Sequence, residues 1–181
     1  MDTINISGIF SVEHRNAQGD LLNQFTCRNK ISDLAKLDVL DVMLGTNTAP
    51  SAWYVGLMDG VFDSFTNGGA AATPYTNEFT DYDETARPQI DTLFSVAASG
   101  GGYASIENPV ATAPATFTIS TGVSAQDLNG IVIMDNSTKG GAETTYWWCT
   151  AAFGNNDSTP APITVNAGDT VKVGYKCQIA I

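Results

Sequence analysis

The sequence predicts a mainly β protein, a β-sandwich with one helix and an N-terminal β-hairpin. Three observations predict it. Charged residues make up only 15% of the chain. Polarity therefore rests on Thr, Ser, Asn and Gly, a mix that suits sheets and turns better than long solvated helices. From Gln89 onward, short apolar runs alternate with the turn clusters "SGGG", "NPVATAP", "DNSTKGG", "GNNDSTPAP" and "NAGD", the spacing expected of a sandwich. Only one stretch has the length and composition of a substantial helix.

Ile4 to His14 and Leu21 to Cys27 read as strands, and "NAQGD" between them supplies turn chemistry. This hairpin is expected to form an arm over residues 1–28. Residues 30–44 follow as the helix. Asn29 or Ser32 is a candidate N-cap, and Gly45 stands where a left-handed C-terminal glycine belongs. Its last turns, Val39 to Leu44, are apolar on almost every side except at Asp41, which predicts cover by a sheet or a partner.

Ala52 to Met58 is a mostly apolar run bounded by Pro50 and Asp59-Gly60, the pattern of a strand buried on both faces. Trp53 and Tyr54 then point to opposite faces. Gly56 suits a bulge or a close approach by the preceding helix. Phe62 to Pro88 has no sustained period, and an irregular segment of that length in a compact domain is often functional. The remaining strands are expected at Ile90 to Ala97, Tyr103 to Glu107, Ala115 to Ile119, Asn129 to Met134, Thr145 to Phe153 and Thr170 to Ile179. In the last of these, Val171, Val173, Tyr175, Cys177 and Ile179 alternate inward. A chain of 181 residues suits one folding unit, with residues 29–181 as the sandwich domain and a long loop at 62–88.

The net charge is −11, and the eight basic residues form no run. Such a surface repels phosphate backbones and anionic membranes, so neither nucleic acid nor a lipid surface is an expected partner. Cys27, Cys149 and Cys177 are odd in number and far apart, with no CxxC. They read as buried thiols on strands rather than zinc ligands or a disulfide framework. No basic-then-apolar leader and no long apolar run is present, so the chain is expected to fold in a cytosol.

Asp81, Asp83 and Glu84 form the one acidic cluster. Paired carboxylates can cleave glycosides, and several oxygens can hold calcium. The spacing matches no EF-hand loop, and the simpler reading is a solvated loop in which Arg87 pairs one carboxylate. His14 is the only histidine, and no nucleophile motif accompanies it. "SGGG" lacks the following helix and the Lys-Ser or Lys-Thr pair of a phosphate cradle. No catalytic residue, cofactor or metal site is therefore assigned, and the protein is not expected to be an enzyme. Trp147 and Trp148 are neighbours, so one of them should face outward as a candidate contact.

Four pieces occur in order: a helix ending at Gly45 leads into "WYVGLM" (Trp53 to Met58), then "NEFTDYDETARP" (Asn77 to Pro88), "GIVIMDNSTKGG" (Gly130 to Gly141) and "AGDTVKVGY" (Ala167 to Tyr175). Together they resemble a family of small virion structural proteins of tailed bacteriophages, akin to capsid decoration (cement) proteins. The resemblance covers roughly residues 30–176. It implies a jelly-roll-like β-sandwich on the outer capsid surface, made in the host bacterial cytoplasm. It also implies two partners, the major capsid protein and copies of the chain itself, with a trimer slightly ahead of a dimer. The alternative is a tail or baseplate component that binds a host receptor or glycan. The expected interface comprises Ile4, Ile6, Ile9 and Phe10 on the arm, and Phe62, Phe65, Tyr75, Phe79, Tyr82 and Arg87 on the long loop. Trp148 completes it.

Overall fold

The computed structural model describes residues 5–31, 33–45, 48, 51–59, 78–90, 95–100, 103–140, 147–154 and 161–180. The N-terminal hairpin forms as expected, from β1 (Asn5–Arg15) and β2 (Leu21–Arg28). Asn16 closes its turn, because its Oδ1 accepts the amides of Gln18 at 3.0 Å and Asp20 at 2.8 Å. Side-chain mimicry of a backbone turn is the reason Asn suits such positions. Short β3 (Lys30–Ile31) and the helix α1 (Asp33–Met43) follow. Next come β4 (Tyr54–Met58), β5 (Glu78–Phe79), β6 (Ser95–Gly100), β7 (Tyr103–Asn108) and β8 (Ala115–Thr118). The last five are β9 (Gln126–Leu128), β10 (Gly130–Met134), β11 (Trp147–Ala152), β12 (Ile163–Val165) and β13 (Thr170–Ala180).

β13 is the spine of the larger sheet, whose order is β2-β1-β13-β7-β6. Along one side it pairs antiparallel with all of β1, from Asn5↔Ala180 to Arg15↔Thr170. Along the other it pairs first with β8, over Thr170 to Val173, and then with β7, over Tyr175 to Ala180. The two partners change over at Gly174. A Cβ there would lie 2.5 Å from the Val110 amide nitrogen and 2.7 Å from the Asn108 carbonyl oxygen. Only a glycine lets the chain leave β7 and cross so near the spine.

The second sheet runs β3-β11-β10-β4-β5, and β12 pairs with β9 separately. One apolar cluster takes residues from both large sheets. Phe10, Val12, Phe117, Val171, Val173 and Tyr175 come from the first, and Val55, Leu57, Ile131, Ile133, Cys149 and Ala151 from the second. All five residues of β10 are buried, because Val132 and Met134 turn away from this cluster and pack with Met58 in a smaller one. Burial on both faces explains why "GIVIM" and "YVGLM" are continuous apolar runs rather than alternating ones.

Several expectations change. The hairpin is not a free arm, since β1 lies between β2 and β13 within the sheet. The helix begins at Asp33; Lys30 and Ile31 instead pair with Thr150 and Cys149. Asn29 donates its side-chain amide to the Tyr175 hydroxyl at 2.8 Å rather than capping the helix. Cover of the apolar turns is partial: Ala35 is buried, but Leu37, Leu40 and Leu44 are exposed. Gly56 sits in regular register opposite Val132, and the space beside it is taken by Val132 Cγ1 and Glu78 Oε1, not by the helix. The strand expected from Ile90 is β6, beginning at Ser95, while Ile90 is a core residue whose amide donates to the Trp53 carbonyl. Residues 91–94 and 145–146 lie outside the described residues.

A methyl group at the crossover should be felt strongly. Gly174→Ala is expected to destabilise the protein by about 1–3 kcal/mol, since the clash is with backbone rather than a flexible side chain. A urea titration that showed an unchanged midpoint would contradict the crossover geometry.

Candidate interaction site

The segment from Glu78 to Ile90 is fastened to the connection that follows β10. The Arg87 and Glu78 side chains are 0% and 1% exposed. Arg87 donates from Nε to Glu78 Oε1 and from Nη2 to Glu78 Oε2, both at 2.7 Å. Its Nη1 donates to the Asn136 carbonyl at 2.7 Å, and its backbone amide to the Ser137 carbonyl at 2.8 Å. Glu78 Oε2 also accepts the Gly140 amide at 2.7 Å. A bidentate pair with extra donors and acceptors is the arrangement in which a buried charge is tolerated. Lys139 adds a further tie, donating to the Tyr82 carbonyl at 2.6 Å with its ammonium 4.3 Å above the Tyr82 ring. Burial first, and then the Glu78 charge, pushes the Tyr82 phenol well above its ordinary value.

The acidic cluster is dispersed by its own hydrogen bonds. Glu84 accepts the Thr118 amide through both oxygens, at 3.1 and 3.0 Å, and Asp83 accepts the Ser120 hydroxyl at 2.7 Å. Arg87 takes Glu78 as its carboxylate, not a member of this cluster, because Glu78 enters the same buried space from β5. Among the described residues no group of three His, Cys, Asp or Glu could hold a metal ion.

His14 is buried and lies 2.9 Å from Asp169 through Nε2, while Asn23 Nδ2 donates to its Nδ1 at 3.2 Å. An amide donating to Nδ1 places the ring proton on Nε2, facing the carboxylate. Asp169 Oδ2 also accepts the Asn166 amide at 2.9 Å. The histidine thus ties the first hairpin to the turn before β13, and each ring nitrogen is engaged by a structural partner.

The apolar feature of most interest is a cavity of about 150 Å³ lined by Trp53, Ile106, Ile133, Trp148, Tyr175 and Cys177. It opens where the larger sheet's inner face continues past the main core, so Ile106 and Ile179 are exposed. Trp53 and Trp148 meet edge to face, their centroids 5.7 Å apart. Tyr175 anchors the floor. Its hydroxyl accepts the Trp148 indole N–H at 3.1 Å and the Asn29 amide, and the Cys149 sulfur lies 3.6 Å away. The site is suited to an apolar or aromatic group that stacks on indole and excludes water.

Two of the cysteines, Cys149 and Cys177, lie beside this tyrosine, and Cys27 is near Cys149. All three are free, with Cys27 and Cys149 buried and Cys177 partly so. Burial pushes the Cys27 and Cys149 thiols up to about 12 from an ordinary 9.0, and raises Cys177 as well.

The expected interface residues divide. Ile9 is exposed, Ile6 is half-buried and Trp148 lines the cavity. Phe10, Phe79, Tyr82 and Arg87 are instead buried within the chain's own core or clamp. For Phe10 the reason is alternation, since it shares the inner face of β1 with Val12. For Phe79, Tyr82 and Arg87 it is the fastening just described. Ile4, Phe62, Phe65 and Tyr75 lie outside the described residues. Trp53, read as core, proves to line the cavity. Its position just before an apolar strand gave no sign of this, because the opening depends on how far the other sheet extends.

Two measurements check this account. Arg87→Ala leaves Glu78 as a buried unpaired charge and should cost about 3–5 kcal/mol, whereas the double variant Arg87→Met, Glu78→Leu should recover much of it; chemical denaturation of both reads the difference. The buried thiols of Cys27 and Cys149 should resist iodoacetamide at pH 8 in the native protein and react on unfolding. A folded thiol pKa above the unfolded one means that stability is full below pH 9.0 and declines as pH rises toward about 12. Fast native reaction at Cys27 or Cys149, or stability rising over that window, would contradict the burial. No known protein-family model, curated protein or solved structure matches the chain.

Proposed function

We propose that this chain is a capsid decoration (cement) protein of a tailed-bacteriophage virion. In this reading it is a jelly-roll-like β-sandwich that binds the outer shell, braces contacts between major capsid protein subunits and acts as a homo-oligomer. The single observation that carries the reading is the clamp. "NEFTDYDETARP" and "GIVIMDNSTKGG", two of the motifs behind the resemblance, are the two halves of one buried set of bonds centred on Arg87 and Glu78. Those motifs spend their polar groups on rigidity, which is what a shell brace requires. The charge of −11 suits a position outside a DNA-filled shell. The Trp53–Trp148 cavity and the exposed Leu37 and Leu40 of α1, with Leu44 just after it, offer apolar contact to a neighbour. Repetition by shell symmetry would make many modest contacts effective.

One observation favours a second reading. An open indole-lined cavity also fits the apolar face of a sugar, as a tail or baseplate component binding a host glycan would need. Copies per virion separate the two, counted by quantitative mass spectrometry and located by cryo-electron microscopy. The shell reading expects a copy number commensurate with the capsomers and density repeated over the lattice. Density confined to the tail vertex would overturn it.

A further inference from the structure

We propose that β2 is an edge through which two copies of this chain pair, antiparallel, about a two-fold axis at Gln24, joining their larger sheets into one. The inference rests on the homo-oligomer of the shell reading and names its contact: a monomeric chain would remove that oligomer, whereas a dimer indifferent to Arg28→Asp would remove this contact alone.

The backbone supplies the first argument. The Asn29 amide donates to the Gly8 carbonyl at 3.0 Å. In an antiparallel ladder, directly opposed pairs alternate between those that exchange hydrogen bonds and those that do not. The β1–β2 register then assigns the bonded pairs to Phe10↔Cys27, Val12↔Phe25 and His14↔Asn23. Gln24, Thr26 and Arg28 must therefore turn their amides and carbonyls away from β1. Among the described residues, β2 has a strand on one side alone.

Apart from the irregularity at Leu22 and the charge of Arg28, this edge carries little of the usual protection. "LLNQFTCR" contains no proline and no lysine, and every residue except Phe25 and Cys27 is exposed. Long exposed edges normally carry such residues, because unpaired backbone groups invite another strand.

Self-complementarity selects a second copy as the occupant. An axis at Gln24 matches residue with residue so that Thr26 faces Leu22 and Arg28 faces Asp20 of the other copy. Gln24 thereby meets Gln24 through outward backbone groups, whereas Asp20, whose amide and carbonyl are held by Asn16, meets Arg28 through its side chain alone. The one basic residue of β2 meets an acid, twice by symmetry, on a molecule whose overall charge otherwise repels its copies. The register shift between His14 and Arg15 leaves Leu22 as an extra residue, and Leu21 and Leu22 are 47% and 49% exposed. In the pair these leucines would flank Thr26 and the aliphatic stem of Arg28. A single ladder of this length is small beside a standard interface, so the dimer should depend on concentration.

Sedimentation equilibrium on the full chain tests the proposal. The wild type should pass from monomer to dimer as concentration rises. Gln24→Pro removes an outward amide without breaking the β1 ladder, and should be monomeric with an unchanged circular dichroism spectrum. Arg28→Asp should weaken the dimer by at least about tenfold, and Arg28→Asp with Asp20→Arg should restore it. Gln24→Cys should oxidise to a covalent dimer, since an on-axis pair lies within disulfide reach. A wild type that stays monomeric throughout overturns the proposal. So does a dimer that Arg28→Asp leaves intact, and this pair of charge variants decides the matter if Gln24→Pro does not fold.

Discussion

An arginine with no exposed side-chain surface must have its charge matched and its donors filled, or the fold around it fails. Here the match is Glu78, and the surplus donors and acceptors go to the backbone of residues 136–140. The consequence reaches well beyond two side chains. Segment 78–90 supplies β5 to one sheet edge. It also sends the Asp83 amide to the Thr118 carbonyl, and the Pro88 carbonyl accepts the Val55 amide. It therefore touches both large sheets at once. Without the ion pair, nothing of comparable strength would hold that segment against the connection after β10. Geometry makes the pair specific: a lysine could match the charge but could not span both Glu78 oxygens and the Asn136 carbonyl.

His14 and Asp169 make a smaller version of the same device beside the turn before β13. Each is polar and buried, and each has its atoms satisfied by an element distant in sequence. Buried polar contacts of this kind define which loop lies against which, a choice that apolar packing alone leaves loosely specified. The apolar residues behave differently. They fill the space between the sheets, then stop short at the Trp53–Trp148 cavity, where indole and cysteine line a surface open to solvent. The molecule thus separates two roles. Its few buried polar residues include the internal fasteners His14, Asp169 and Arg87, and its accessible surface combines polar and acidic groups with a few apolar patches.

Much of the fold was legible because alternation and turn chemistry are local. The first hairpin, β4, β7, β8, β10 and β13 lie close to where period and punctuation put them. The three-residue strands β9 and β12 and the two-residue β3 and β5 were not legible, since so few residues carry no period; the sheet recruits them through neighbours. The partner of Arg87 was missed for a related reason. Asp81, Asp83 and Glu84 are nearer in sequence, but burial selects the carboxylate that enters the same dry space, and that is Glu78. The approach of Cys149 to Tyr175 follows from the packing of the two large sheets on one core, a long-range contact that no residue announces on its own.

The position of β13 has a bearing on how the protein is made. Its most extensive partner is β1, and His14 is separated from Asp169 by 155 residues. On a ribosome, β1 and β2 emerge before β13 and wait, with one long edge of β1 still unpaired, while the intervening chain is synthesised. Pairing between such distant segments carries a large loop-closure cost and slows folding. The nascent hairpin therefore stands as an open template while that intervening chain is made, and its acidic surroundings and neighbouring copies decide what the template meets before β13 arrives.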